Sequence, residues 1–393
     1  MATPLSIHNL IHGGWRTVLS IVGISIAIVL IFMQLGFLGA VTDTAVVFYD
    51  EMEFDLIACS PDYYNFVDSG RFSRDHLNTI ASNPGVQSVK PLHVSLGKWN
   101  YEEKEVQRGM LIIGVDPDQP IFRDDSINQK LNSLTDHHSI LVDQSSRPRF
   151  LGADNKTKFD ERQIGLEIEL NGVTCTLANL FEIGTGLAAD GASIVNENHF
   201  TRMIPGYGQR SVALGLIRAE SGVSIEDLRT RIESTLPPSD ATHGHPVVRL
   251  LTRRELAARE TAYWQWGTPI GFIFLAGAIV AFLVGAIIVY IVLSSDISKQ
   301  ISEYATLKAM GYRNQFLAKT VLEQSFILAI ASYLSALVVS LVLYQVVGNA
   351  AKLPITMTWT RLVIVFFSSL IMSFVSALIA MQKLRQADPA DLF

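Results

Sequence analysis

Residues 17–42 read TVLSIVGISIAIVLIFMQLGFLGAVT, and these 26 consecutive residues contain no charged side chain. A helix needs about 20 apolar residues to cross the hydrocarbon core of a bilayer, where its backbone must satisfy its own hydrogen bonds. Three further uncharged stretches pass the same test: Thr261–Ser295, Gln324–Ala351 and Leu362–Gln382. Four buried helices of a soluble protein are the alternative, but such helices rarely reach this length without a charge. The sequence therefore predicts four membrane-spanning helices.

The first stretch has one further interpretation, a cleaved signal peptide. The apolar region of a signal peptide usually covers about 7–15 residues, and this stretch is far longer. We therefore expect a retained signal anchor.

The composition of the whole chain excludes several classes of protein. Its 393 residues are 49% hydrophobic and only 17% charged, which excludes a disordered chain and disfavours an ordinary cytosolic enzyme. The formal net charge of −6 disfavours nucleic acid as a partner, because it would repel a phosphate backbone.

Charge asymmetry between the connecting segments predicts the orientation, because positive residues in short flanks mark the cytoplasmic side. Arg16 precedes the first helix, whereas acidic residues follow it and no basic residue appears before Arg71. The connector after helix two and the tail after helix four are basic, with Lys299, Lys308, Arg313, Lys319, Lys383 and Arg385. Both termini are therefore predicted to be cytoplasmic, and the long segment after helix one to be exported.

The predicted organisation is an α-helical integral membrane protein with a large α+β periplasmic domain between helices one and two. The predicted segments are an amphipathic N-terminal helix (1–16), transmembrane helix one (17–42), the periplasmic domain (43–266) with a stalk helix at its end (253–266), transmembrane helix two (267–295), a cytoplasmic coupling helix and elbow (296–320), transmembrane helix three (321–348), a short periplasmic loop (349–360), transmembrane helix four (361–383) and a cytoplasmic tail (384–393).

Local patterns in the exported segment predict short strands and helices. Val86–Trp99 and Val106–Val115 are rich in β-formers, and Asn171-Gly172 between two alternating runs is a strong hairpin signal. Ile225–Leu236 has helical periodicity after a Ser224 cap. Thr252 and Glu255 have the spacing of a capping box, so a helix is expected to start at Arg253 and continue toward helix two, with a kink at Pro269.

Catalytic and metal-binding motifs are missing from the sequence. Neither His137-His138 nor His243-Gly244-His245 has acidic or cysteine partners at ligand spacing, so we interpret both as surface loops. There is no P-loop, no Gly-x-Ser-x-Gly and no His-Glu-x-x-His, so the chain has no motif with which to bind ATP itself. Cys59 and Cys175 both lie in the exported segment, where a disulfide is chemically permitted. They are a candidate pair, and two free thiols are the alternative.

Helix two carries small residues at every fourth position, Gly277, Ala281 and Gly285. Such a stripe allows another helix to approach closely. The partner is either another helix of the same chain or a second subunit. Trp264 and Trp266, just before the helix, are expected to anchor it at the membrane interface.

The segment after helix two predicts a short amphipathic helix on the cytoplasmic side. Asp296, Lys299, Gln300 and Glu303 form a polar stripe, and Gly311 is placed to end the helix. Such a helix is able to lie on the lipid or to dock into a groove of a partner.

This segment carries a family resemblance. Residues 303–312, EYATLKAMGY, resemble the coupling-helix signature of MacB/FtsX-type permeases, and the tail at Ala387-Asp388-Pro389-Ala390 resembles their common ending. The sequences of residues 304–312 and of residues 32–37, FMQLGF, are similar to those of the DevC-like branch, the permeases of heterocyst glycolipid exporters. The topology of one helix, a large domain and three helices also matches the family.

The resemblance implies a non-enzymatic subunit that works by mechanotransmission. Its expected cargo is a glycolipid or another amphiphile, and membrane lipid is an expected partner. Expected partners are a second copy of the chain, a cytoplasmic ABC ATPase that binds ATP and Mg, a periplasmic membrane-fusion adaptor and a TolC-like outer-membrane channel. The expected location is the inner membrane of a bacterium, by the branch a cyanobacterium. The residues placed in the ATPase groove would be Glu303, Tyr304, Leu307, Lys308, Met310 and Gly311.

Two alternatives remain at this stage. One keeps the fold but makes the protein a non-transporting FtsX-like regulator of cell-wall hydrolases. The other is a membrane-anchored receptor or enzyme with a sensing periplasmic domain.

Overall fold

The structure is a computed structural model that describes residues 14–100, 108–135, 138–147, 150, 159–184, 186, 189–208, 210–237, 247–300, 306, 310, 314–351 and 353–386. Its helices and strands are, in chain order, α1 (Trp15–Ala45), α2 (Val47–Glu51), β1 (Leu56–Cys59), β2 (Phe72–Ser73), α3 (Asp75–Ala81), β3 (Val86–Asn100), β4 (Arg108–Val115), α4 (Asp125–Leu131), β5 (Ser139–Asp143), β6 (Glu167–Leu170), β7 (Val173–Phe181), β8 (Gly191–Asn196), α5 (Glu197–Met203), β9 (Ser211–Val212), β10 (Leu214–Ala219), α6 (Ile225–Thr235), β11 (Arg249–Thr252), α7 (Arg253–Ala262), α8 (Pro269–Lys299), α9 (Asn314–Ala351) and α10 (Trp359–Gln386).

The chain divides into two compact units. One consists of residues 1–41 and 268–393 and holds the apolar helices, and the other is the extramembrane domain, residues 42–267. Helices α1, α8, α9 and α10 are each long and apolar enough to cross a membrane. The predicted fold class, four membrane-spanning helices with a large α+β domain between the first and the second, is confirmed.

Three of the four helices reach past the predicted spans at both ends, and α8 begins two residues later than predicted but ends four residues later. Helices α1, α8, α9 and α10, as bounded above, correspond to the predicted spans 17–42, 267–295, 321–348 and 361–383. The difference arises because an uncharged run marks only the part of a helix that tolerates hydrocarbon, whereas the helix itself continues through flanking polar residues. Residues 314–320 of the predicted elbow belong to α9, while the predicted N-terminal helix lies largely outside the described residues.

The extramembrane domain is built on a nine-stranded sheet with the order β11-β1-β10-β3-β4-β8-β5-β7-β6. The long strand β3 joins its two halves, since its first part pairs with β10 and its second part with β4. The end of β3 also pairs with β6, so the second half of the sheet closes on itself. Two buried apolar clusters accompany this arrangement: the larger includes residues from both halves of the sheet, and the smaller lies on the other face of β1, β10 and β11 and includes residues of α3 and α6.

Several local predictions in this domain are confirmed. Asn171 and Gly172 have φ of 53° and 84°, the left-handed conformation of a tight hairpin turn, and connect the paired strands β6 and β7. The Ser224 side chain caps α6, and Thr252 and Glu255 form the predicted capping box at the start of α7. Helix α7 does not continue into the membrane with a kink, however. It ends at Ala262, a single π-helical turn follows over Tyr263–Gly267, and Pro269 is the first residue of a new helix. Proline fits this position because the first helical N–H needs no partner.

Candidate functional site

The predicted coupling residues lie mostly outside the described part of the chain. This applies to Glu303, Tyr304, Leu307, Lys308 and Gly311, whose role stays a prediction. Met310 is described, and its side chain is 63% exposed. Its N–H donates to the Thr306 carbonyl at 3.0 Å, the hydrogen bond of one helical turn.

The small residues of helix two pack against other helices of the same chain. A Cβ atom at Gly285 would collide with Met372 Sδ of α10 and lie 3.0 Å from Ala27 of α1, and one at Gly277 would lie 2.6 Å from the Gln34 amide group. Ala281 between them is buried. Of the two alternatives for this stripe, the geometry therefore supports packing within the subunit.

Helix α1 has a second close contact that the sequence analysis missed. The Tyr344 hydroxyl packs on Gly36 and donates to the Phe32 carbonyl at 2.5 Å, and the Arg361 guanidinium packs on Gly39. Arg361 also donates to the Thr356 carbonyl and is only 8% exposed. Charged residues in membrane-spanning helices are costly and are held by polar partners. The spacing of Gly36 and Gly39 was the available signal, since small residues permit such contacts.

Serine hydroxyls supply further links between the membrane-spanning helices. Ser25 of α1 and Ser335 of α9 have hydroxyl oxygens 2.5 Å apart, and the Ser376 hydroxyl of α10 donates to the Ala286 carbonyl of α8 at 2.6 Å. In lipid, helices associate through close packing and such hydrogen bonds rather than through the hydrophobic effect. The bundle interior is therefore a packed, hydrogen-bonded contact.

The two cysteines are not joined in the structure. Cys59 lies on β1 with its Sγ 3.6 Å from the Arg249 carbonyl, and Cys175 lies on β7 with its Sγ 3.9 Å from His199 Nε2. Both are buried, and burial raises the pKa of each thiol to about 12. The disulfide proposed as one alternative is therefore absent, and both side chains act as small, protonated core residues.

The histidine pairs provide no metal site among the described residues. His138 Nδ1 donates to the Thr174 carbonyl at 3.1 Å, and no cluster of three His, Cys, Asp or Glu ligands is present in the described ranges. His137, His243 and His245 fall outside them.

The polar site that does form lies where α2, which follows the first membrane helix, meets α7, which precedes the second. We call this contact the joint, and it consists of Tyr49, Tyr63, Arg253, Arg259 and Glu260. Arg253 of α7 donates to the Tyr49 and Met52 carbonyls, each at 2.6 Å, and its guanidinium lies 4.1 Å from the centre of the Phe54 ring. The Arg253 side chain therefore holds α7 against the end of α2 and the residue that follows it.

Arg259 and Glu260 complete the joint. Arg259 donates to the Tyr63 carbonyl at 2.9 Å, and the Tyr63 hydroxyl donates to Glu260 Oε1. The Tyr49 and Tyr63 hydroxyl oxygens are 2.5 Å apart. Nothing in the sequence indicated the contacts of α7 with Tyr49 and Tyr63, because these partners are about 200 residues away along the chain.

A cavity of about 20 Å³ adjoins Glu260 and is also lined by Thr44, Asn65 and Trp264. This volume holds roughly one water molecule. It is far too small for a lipid, so the joint is not a cargo site. Trp264 lines this cavity and Trp266 is 72% exposed, and their expected role as membrane anchors stays a prediction.

Comparison with known families identifies the chain. A model of the MacB-like periplasmic core domain matches residues 17–235, more than half of the sequence, and a model of the FtsX-like permease C-terminal region matches residues 275–389. The chain belongs to the MacB/FtsX family of ABC-transporter permeases. As a member, it is a multi-pass membrane protein with a periplasmic-type domain.

Two solved structures of extramembrane domains are similar to part of this chain at low identity. The extracellular domain of the noncanonical ABC-type transporter YknZ from Gram-positive bacteria is 14% identical, covering 51% of this chain and 99% of its own, with a TM-score of 0.33. The periplasmic region of MacB from Actinobacillus actinomycetemcomitans is 10% identical, covering 52% and 91%, with a TM-score of 0.34. No curated protein matches the sequence.

The contact at Gly285 generates a test of the packed bundle. We expect Gly285→Leu to force α8 away from Met372 and Ala27 and to destabilise the membrane unit by about 1–3 kcal/mol, the usual cost of overpacking. The thermal unfolding midpoint of the detergent-purified permease measures this. Val284→Leu on the exposed face of α8 is the control, and equal stability of both variants would contradict the packing.

Arg253 generates a test of the joint. We expect Arg253→Ala to remove the charge-assisted hydrogen bonds to the Tyr49 and Met52 carbonyls, of which the Tyr49 carbonyl keeps only the Met52 N–H, and to destabilise the extramembrane domain by about 2 kcal/mol. For a domain of this size the midpoint of thermal unfolding should fall by about 4–8 °C.

Arg254→Ala is the matched control for that variant, since Arg254 is the adjacent side chain and is exposed. A midpoint that falls equally in both variants would show that the loss of positive charge, rather than the joint, sets the stability.

Proposed function

We propose that this protein is the permease subunit of an ATP-driven tripartite exporter that works by mechanotransmission. The observation that carries the proposal is the joint. Helix α2 follows α1 after one residue, and α7 leads through a single turn into α8, so the joint ties together both chain segments that enter the extramembrane domain from the first two spans. A movement of either segment would be passed to the other and to the sheet, because β11 directly precedes α7.

The packed bundle supports the same mechanism. Its helices touch at glycines and through serine hydroxyls, an arrangement suited to tilting as rods rather than to opening a wide pore. Cargo would then be moved by the extramembrane domain.

The energy would come from a separate ABC ATPase, the usual partner of this family, which would hold ATP and Mg. We place its contact at Glu303, Tyr304, Leu307, Lys308, Met310 and Gly311, on the strength of the family signature. The exposed side chain of Met310 is compatible with this contact. Two copies of the permease, a periplasmic membrane-fusion adaptor and a TolC-like outer-membrane channel would complete the assembly.

The cargo class follows from the resemblance to the DevC-like branch, and we propose a glycolipid or another amphiphile drawn from membrane lipid. The proposed location is the inner membrane of a bacterium, by the same resemblance a cyanobacterium. The basic residues of the connector, Lys299 and Lys319 among them, support a cytoplasmic position for the ATPase contact.

The coupling contact is tested in proteoliposomes that contain the full-length permease and its ATPase. We expect Glu303→Lys or Leu307→Trp to lower permease-stimulated ATP turnover at least tenfold, because either change reverses a charge or overfills a groove at the contact. Membrane insertion, measured by protease protection of the extramembrane domain, should not change.

Lys319→Gln is the control, since Lys319 is an exposed residue beyond the signature. Unchanged permease-stimulated ATP turnover in the Glu303 and Leu307 variants would contradict the proposed coupling contact. Stimulated turnover in the unaltered complex without lipid transport, but with activation of a cell-wall hydrolase, would indicate the FtsX-like regulator instead.

A further inference from the structure

Glu260 is fully buried in the joint without a charged partner. Its exposed fraction is 0%, and no ion pair to its carboxyl occurs among the described residues. Fully buried acidic residues are rare unless they are paired, because removing a carboxylate from water is costly. The position of this group, on the helix that precedes the second span, therefore requires an explanation.

The groups around the carboxyl are neutral hydrogen-bond donors. The Tyr63 hydroxyl donates to Oε1, and the Tyr49 hydroxyl is 3.5 Å from the same oxygen. The Phe66 N–H and the Trp264 side chain also stabilise the carboxylate, although Oε2 itself completes no hydrogen bond of standard geometry in the described chain. The cavity beside the carboxyl has room for one water molecule, which could exchange a proton with Glu260.

The charged and titratable groups nearby do not neutralise Glu260. Arg253 and Arg259, on the same helix, donate to the backbone carbonyls of Tyr49 and Tyr63. The Cys59 thiol of β1 stays protonated because burial raises its pKa, and the charge of Arg249 on β11 offsets only part of that effect. Burial and the Glu260 charge raise the pKa of both tyrosines, which therefore remain neutral donors.

Burial raises the pKa of Glu260 to about 7, and the hydrogen bonds from Tyr63, Phe66, Trp264 and Tyr49 offset only part of that effect. An acid whose pKa is raised in the closed structure holds a proton that the open structure has released. The stabilisation of the closed joint is therefore full below the ordinary pKa of 4.5, falls as the pH rises from there to about 7, and is lost above that pH.

We propose that Glu260, Tyr63 and Tyr49 form a proton-controlled latch, which fixes α7 to α2 while the carboxyl is protonated and loosens that contact when the carboxyl ionises. The latch is a property of this chain and does not rest on the proposed transport function. It places the pH response inside the extramembrane domain, between the segment that follows α1 and the helix that precedes α8.

The test is hydrogen exchange of the α2 and α7 amides in the full-length protein in nanodiscs, at pH 5.5 and pH 8, corrected for intrinsic exchange rates. We expect the fraction of open joint to be about 20-fold larger at pH 8. Glu260→Gln keeps the shape and the hydrogen bond from Tyr63 but cannot ionise, so its exchange should be the same at both pH values. Glu226→Gln, at an exposed carboxylate of α6, should behave like the unaltered protein.

A second variant keeps the proposal testable if Glu260→Gln fails to fold. Tyr63→Phe removes a hydrogen bond that favours the carboxylate, so the pKa of Glu260 should rise and the change in opening between the two pH values should become larger than in the unaltered protein. An undiminished pH response in Glu260→Gln, or an unaltered one in Tyr63→Phe, would overturn the latch.

Discussion

The structure depends on how the Arg253 guanidinium satisfies the backbone that leaves the first membrane helix. The carbonyls of Tyr49 and Met52 lie in a partly buried turn, where unpaired acceptors are costly. A single planar cation on α7 pairs with both and packs on Phe54. Within the extramembrane domain, the same interaction holds the segment that follows α1 against the helix that precedes α8. In the same domain, the edge strand β11 runs directly into α7.

The membrane unit follows a different physical rule. Lipid tails are as apolar as the side chains, so helices associate only where backbones approach closely or hydrogen bonds cross between them. Gly36, Gly39, Gly277 and Gly285 provide the close approaches, and the Tyr344 hydroxyl and several serines provide the hydrogen bonds. Stiff helices joined in this way are suited to transmitting movement, which is the role we propose for a MacB/FtsX-type permease.

Sequence reasoning succeeded where one local physical requirement dominates. An uncharged run long enough to cross lipid identifies α1 and its three counterparts, the left-handed Asn171-Gly172 pair identifies its hairpin, and Thr252 with Glu255 identifies the start of α7. It failed where the partner is distant in sequence. The stripe on α8 indicated a close contact but not Met372 as its partner, and nothing indicated that Glu260 would meet Tyr63. The helix that was expected to run on to Pro269 ends at Ala262. The prediction was wrong because local helix propensity does not reveal where a chain passes from one compact unit to another.

The central claim is that α2 and α7 move as one body, and a distance between them tests it most directly. Spin labels at Glu51, a half-buried position of α2, and at Ala258, an exposed position of α7, report that distance by pulsed electron resonance, and the buried native cysteines are poorly accessible to the label. At pH 6, in the complex of permease and ATPase, we expect one narrow distance distribution that is the same without nucleotide and with ATP trapped. A second population, or a shift of several ångströms on ATP binding, would contradict the claim.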